Sequence, residues 1–197
     1  ASVVNEGAEI AGTRVIPLYI AQSDFAQALR ILAEPLFAVM PLRKAKVGIL
    51  VTGTELFKGL IQDKFIPIIS NKVEQYDCTV VASHIAPDDK AHIGGCIRSI
   101  RDAGADLLIT TGGLSVDPDD VTRAALLEAG LTDALYGAPV LPGTMSLVGR
   151  IPVKGGNDKQ SPSVIHGDTL YQQPGPGDMQ VLGVPACALY FKTTLFD

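Results

Sequence analysis

The sequence predicts an α/β fold: three layers, with a mostly parallel sheet and helices on both faces. Two observations carry this. Short apolar runs of strand type alternate with stretches whose apolar residues recur at helical spacing, from Lys46 to Gly130. The glycine-bearing polar segments then fall after the strands, on the edge where open α/β sheets bind ligands.

Residues 1–43 read as a first section expected to pack on the main domain, 44–197. Residues 14–20 are extended in character, with Pro17 at an edge or irregularity. Ser23 or Asp24 can cap a helix running to Leu36, its apolar positions Phe25, Leu29, Leu32 and Leu36 at helical spacing. Residues 40–43 read as a linker, and Lys44 and Lys46 mark a solvated start to the next element.

Residues 47–51 are a strand, 65–76 a helix and 79–85 a second strand, a βαβ unit in which Pro67 fits only the helix's first turn. Phe65, Ile69, Val73 and Tyr76 share a face of that helix. A second helix over 89–103 carries Ile93, Cys96, Ile97 and Ile100 on one side and stops at Gly104. Gly94 and Gly95 weaken it by about 1 kcal/mol each relative to alanine. Strand 106–110 and helix 121–129 continue the alternation with right-handed crossovers, and Gly130 ends the helix. Residues 135–165 are rich in proline and glycine, with short strands expected at 145–148 and 164–165; a turn at 173–178 leads into a last strand at 179–182.

The length of 197 residues allows one full-sized core, not two large domains. A formal net charge of −5 with no basic stripe argues against non-specific nucleic-acid binding. No apolar run reaches the roughly 18 residues that span a bilayer, and no stretch has the form of a signal peptide, so a cytoplasmic protein without a membrane partner is expected. The chain begins with Ala1 and stops inside the apolar run 188–196, as part of a longer protein would.

Three cysteines, Cys78, Cys96 and Cys187, lack metal-ligand spacing and are expected to be buried, reduced thiols. His84 is expected to be packed and hydrogen-bonded in a central strand and His92 solvated on a helix; His166 lies in a turn with no assigned role.

The segment Thr110-Thr111-Gly112-Gly113-Leu114-Ser115-Val116-Asp117-Pro118-Asp119-Asp120 links the third strand to its helix. A strand that breaks at two glycines presents backbone N–H groups able to hold a phosphate. Carboxylates so close to it would repel an anion unless a cation intervenes, so the loop suggests phosphate with Mg²⁺. On the same edge lie Thr52-Gly53-Thr54-Glu55, Ala86-Pro87-Asp88-Asp89 and Gly183-Val184-Pro185-Ala186. The alternative is structural: Asp88 or Asp89 caps one helix, Asp119 or Asp120 the next, and Glu55 sits in a first helical turn.

These motifs resemble the molybdopterin-binding domain shared by molybdopterin adenylyltransferases, molybdopterin molybdotransferases and competence-damage-inducible proteins. Residues 111–122 are similar to that family's T-G-G-x-S-x-G-x-x-D-V-T, Ala86-Pro87-Asp88-Asp89 to its V-P-D-D/E, and Thr52-Gly53-Thr54-Glu55-Leu56 to its (T/I)-G-(D/T)-E-(L/I). Gln62-Asp63-Lys64-Phe65-Ile66-Pro67 resembles the Q-D-K-x-x-P of the adenylyltransferase branch. The resemblance covers Lys44 to about Asp197. It implies a dithiolene pterin, molybdopterin, with its terminal phosphate on the Gly-Gly loop. Asp88 and Asp120 would serve Mg²⁺-dependent adenylyl transfer, with ATP as partner, or metal insertion. It assigns ligand contact to Thr52, Gly53, Glu55, Thr111, Gly112, Gly113, Leu114, Ser115 and Pro185, a Mg²⁺ to Asp120, and a homo-oligomer, trimer or dimer, to the assembly.

Two positions depart from the pattern. Asp117 stands where the family has glycine, and Ala186 replaces the glycine of L-P-G. Either is compatible with a binder of altered ligand choice. Alternatives to the transferase are a non-catalytic molybdopterin- or nucleotide-binding module and, as the competence-damage relatives imply, a nucleotide pyrophosphatase.

Overall fold

The computed structural model describes residues 4–12, 18–31, 37, 39–115, 120–137, 143–152 and 177–187. The chain divides into two compact units, Ala1–Pro41 and Leu42–Asp197. In the first unit, helix α1 spans Gln22–Ile31, with Asp24 in its first turn and Arg30 in its last, each sign matching the dipole at its end. Residues 18–20 form no strand, in contrast to the extended reading. The continuation to Leu36 and residues 14–17 lie outside the described residues.

The second unit runs β1 (Lys46–Thr52), α2 (Thr54–Phe57), α3 (Phe65–Glu74), β2 (Thr79–Ala86), α4 (Lys90–Asp102), β3 (Leu107–Thr111), α5 (Thr122–Glu128), β4 (Thr132–Tyr136), β5 (Leu147–Ile151) and β6 (Met179–Gly183). The sheet order is β2-β1-β3-β6-β5-β4. The β2-β1, β1-β3 and β3-β6 pairs are parallel; β5 runs against both β6 and β4.

β1 is apolar on both sides because both are covered. Val47, Ile49 and Val51 pack with Ile69 and Val73 of α3 on one face. Leu50 faces Ile93, Ile97 and Ile100 of α4 and Ala125 and Leu126 of α5 on the other. A Cβ at Gly48 would lie 2.0 Å from Ile100 Cγ2, so glycine is what lets α4 sit this close. The β1–β2 connection runs one way with α3 on one face, and β2–β3 returns with α4 on the other, which keeps both crossovers the same hand.

The helix ends follow local chemistry. Asp63 accepts the N–H groups of Phe65 and Ile66 at 2.9 and 3.2 Å, opening α3. Asp89 caps α4, its Oδ1 accepting His92 N–H at 2.8 Å. Both α4 and α5 close in Schellman turns: Gly104 N–H donates to Arg101 and Ala105 N–H to Ile100, and Gly130 N–H donates to Leu127 and Leu131 N–H to Leu126.

Three expectations are corrected. β2 is an edge strand, so His84 does not lie in a central one; its Nε2 pairs with Ser99 Oγ at 3.2 Å on α4. β4 forms at Thr132–Tyr136, over residues left without an element and the start of the loop-rich stretch 135–165, and β5 begins later than the strand expected at 145–148. Cys187 is exposed, while Cys78 and Cys96 are half-buried, all three as free thiols. The strand expected at 164–165, His166 and the turn residues 173–176 lie outside the described residues. Among the described residues no helix is long and apolar enough to cross a membrane.

Candidate functional site

β1 and β3 are neighbours whose following connections diverge, β1 leading to β2 on one side and β3 toward β4 on the other. Their carboxyl ends therefore form a topological switch point, where the crevice of an open α/β sheet lies. The structure brings Thr52-Gly53 and Thr111-Gly112-Gly113 together there. A Cβ at Gly112 would lie 2.2 Å from the Thr52 carbonyl oxygen, and one at Gly113 2.4 Å from Thr122 Oγ1. Both glycines have positive φ, 89° and 55°. They are needed because the loop folds directly over the last residue of β1, a constraint no local pattern announces.

Thr52 is buried, and its Oγ1 stands 2.9 Å from Thr122 Oγ1 and 3.4 Å from the Thr111 carbonyl to which it donates. β1, the Gly-Gly loop and the first residue of α5 are thus one unit. Leu114 sends its side chain into the core, leaving the backbone as what it offers a ligand. Ser115 is exposed. Among the described residues, no hydrogen bond is donated by the backbone N–H of Gly112, Gly113, Leu114 or Ser115.

The β2 loop closes on the β1 loop. Asp88 Oδ2 accepts the backbone N–H and the hydroxyl of Thr54, each at 2.9 Å, and Gly53 N–H donates to the Ala86 carbonyl at 3.0 Å. One oxygen of Asp88 therefore satisfies the start of α2, a structural use other than the capping of the following helix, which falls to Asp89. Glu55 is exposed in the first turn of α2, and Asp89 is a helix cap. After β6, Val184 N–H donates to the Thr110 carbonyl at 2.8 Å, which lays Pro185 beside the end of β3.

Among the described residues, the buried side-chain oxygens without a hydrogen-bond partner are Thr110 Oγ1, Thr111 Oγ1 and Asp120 Oδ2. All three flank the Gly-Gly loop. Buried polar atoms are almost always paired, so their concentration here marks the place where the protein leaves bonding capacity unused. The Asp120 oxygen fits a cation, and the N–H groups of residues 112–115 fit a phosphate. Among the described residues no three His, Cys, Asp or Glu side chains converge as a metal site, and Asp117 and Asp119 lie outside them.

Sequence reasoning missed Tyr136, at the end of β4, whose hydroxyl donates to the Leu114 carbonyl at 2.5 Å. It also gave no role to Arg123, whose Cζ lies 4.6 Å from the centroid of that ring. The quoted motifs contain Thr54 and Thr122, so those two were within reach; nothing in the pattern around Tyr136 distinguishes it.

Fold and site together define a doubly wound α/β domain with a glycine-cradled loop at its switch point. The chain belongs to the family described as "probable molybdopterin binding domain", whose model matches residues 48–195. Among curated proteins it is 34% identical over 100 residues to a CinA-like protein of Mycobacterium marinum, a match covering 46% of this chain and 24% of that protein. The chain thus spans about a quarter of that relative's length. Among solved structures it is similar to the tungsten cofactor synthesizing protein MoaB from Pyrococcus furiosus, with a TM-score of 0.53 at 17% identity, covering 73% of this chain and 83% of that one. It is also similar to CinA from Thermoplasma acidophilum, with a TM-score of 0.52 at 16% identity, covering 73% and 89%. These two likenesses establish the fold.

Proposed function

We propose that the chain is a molybdopterin-binding domain acting in molybdenum cofactor biosynthesis. In this reading it holds the ligand's terminal phosphate on the backbone N–H groups of residues 112–115. Asp88 and Asp120 serve adenylyl transfer to molybdopterin or metal insertion. The observation that carries the reading is the meeting, at the switch point, of loop N–H groups and an Asp120 carboxylate oxygen that have no partner among the described residues. Family membership names the ligand class.

The residues have distinct tasks. Gly112 and Gly113 let the backbone approach, Thr52 and Thr122 fix the loop, and Ser115 supplies a hydroxyl at its exposed end. Gly53, Glu55, Thr111 and Pro185 border the crevice. Asp120 holds Mg²⁺, which when bound neutralises phosphate charge on an ATP or adenylyl partner. Asp88 holds the opposite rim by tying Thr54 through Oδ2, and its other oxygen serves the ligand. The family likeness supports a homo-oligomer, trimer or dimer, which light scattering measures.

A second reading, a non-catalytic binding module, is favoured by Asp88 itself, because a carboxylate oxygen engaged by two Thr54 donors already has a structural use. Isothermal titration with molybdopterin, followed by a turnover assay with molybdopterin and Mg-ATP, separates the readings. Binding with adenylylation supports the transferase, binding without it supports the module, and no interaction with molybdopterin or its adenylated form refutes both.

A further inference from the structure

We infer that Tyr136 is a positioning residue for the phosphate loop and that Arg123, held over its ring, is the cation that favours phosphorylated ligands at this edge; the inference rests on the reading of the loop given above. Tyr136 is half-buried at the end of β4, 22 residues from the loop it touches. Its hydroxyl donates to the Leu114 carbonyl, and Met145 Sδ lies 3.2 Å from the hydroxyl oxygen.

That carbonyl shares a planar trans peptide with the N–H of Ser115. In such a unit C=O and N–H point in opposite directions, so fixing the one aims the other. Tyr136 therefore turns the Ser115 N–H away from β4, while the buried Leu114 side chain, 3% exposed, pins the residue from the core side. That donor is oriented before any ligand arrives.

Arg123 follows Thr122, which closes the switch point, and it is exposed. Among the described residues it forms no ion pair; it lies over the Tyr136 ring instead. A guanidinium held over a ring, with no ion pair among the described residues, has N–H donors to offer, and its planar fork matches a phosphate's paired oxygens. In a chain of net charge −5 with Asp88 and Asp120 on the same sheet edge, such a cation offsets the repulsion a phosphate would meet. One tyrosine thus serves loop and cation together, its hydroxyl holding the first and its ring the second.

The test is an amide NMR titration of the ¹⁵N-labelled full chain with inorganic phosphate. Tyr136→Phe keeps the ring and removes the hydroxyl. It is expected to move the Ser115 amide resonance in phosphate-free protein and to weaken phosphate about five-fold, the effect of one hydrogen bond. Arg123→Gln is expected to leave that resonance in place, to weaken phosphate about three- to ten-fold, and to flatten the salt dependence. Arg123→Lys restores charge without the planar edge and recovers only part of the affinity. An unmoved Ser115 resonance in Tyr136→Phe, or wild-type phosphate affinity in both variants, overturns the inference. Wild-type amides at 112–115 that ignore phosphate refute the loop reading and with it the role of Arg123. The Ser115 resonance in phosphate-free protein still judges Tyr136 by itself.

Discussion

The hydroxyls of Thr52 and Thr122 meet at 2.9 Å across the switch point, joining the end of β1 to the first residue of α5. Seventy positions of sequence separate them, and the Gly-Gly loop is folded over their junction. Thr52→Val keeps the shape and removes the bond, leaving a buried hydroxyl at Thr122 unsatisfied. A loss of about 1–3 kcal/mol is expected in urea unfolding, with Thr52→Ser close to wild type; a Thr52→Val protein as stable as wild type would remove the junction from the account.

Gly112→Ala and Gly104→Ala separate backbone strain from overlap. Both glycines have positive φ, 89° and 84°, but a Cβ at Gly104 meets nothing within 4 Å while one at Gly112 lies 2.2 Å from the Thr52 carbonyl. Gly104→Ala should cost about 1 kcal/mol, the left-handed penalty alone. Gly112→Ala should cost at least about twice that, since backbone must shift. Equal losses in denaturant unfolding would contradict close approach of the loop to β1.

Asp120→Asn addresses the unpartnered oxygen. A buried carboxylate oxygen without a partner among the described residues is a cost to the free protein, so neutralising it should leave stability unchanged or raise it by about 1 kcal/mol. Mg²⁺-dependent turnover, where the wild type has it, should fall by about two orders of magnitude or more with molybdopterin binding retained. Calorimetric melting without and with Mg²⁺ checks the first half. A clear destabilisation would assign Asp120 to helix capping.

Gly95→Ala, and likewise Gly94→Ala, should stabilise the protein. Both glycines lie inside α4, and an added Cβ would approach only the Arg98 guanidinium, at 3.9 and 3.6 Å respectively. Each substitution is worth about 1 kcal/mol of helix propensity with no compensating clash. A fall in melting temperature would mean that α4 uses its glycines in a way intrachain packing does not reveal.

Burial raises the Cys96 thiol above its ordinary value of 9.0. The thiolate is the nucleophile, so at pH 8 Cys96 should be alkylated more slowly than the exposed Cys187. The sign of the linkage follows: above pH about 9 the unfolded chain loses this proton while the folded chain keeps it, so this contribution to stability declines with rising pH. Peptide mapping after timed iodoacetamide treatment gives the ratio, and faster labelling of Cys96 would be the contrary result.

Much of the second unit was legible because its signals are local. The apolar runs of β1 and β3, the Ile93-Ile97-Ile100 stripe of α4 and the glycines closing α4 and α5 state their structures within a dozen residues each. β4 was not legible: its Thr-Asp-Ala-Leu-Tyr has no alternation, since four of its five residues are exposed, and it exists because β5 pairs with it. His84 was misplaced for a related reason. An edge strand covered on both faces reads like a central one, and nothing local reports a missing neighbour.

By itself the sequence determined the α/β class, the gathering of polar, glycine-bearing loops after the strands and the residue types in them, because periodicity and loop chemistry are properties of adjacent residues. The tertiary structure decided which loops share the crevice, that Gly112 and Gly113 are required by Thr52 and Thr122, that Asp88 is tied to Thr54, and that Tyr136 reaches Leu114. Those are contacts between segments distant along the chain, set by strand order and helix placement. A loop's composition can suggest an anion site, but the contact on its Leu114 carbonyl comes from Tyr136, which the fold brings against it.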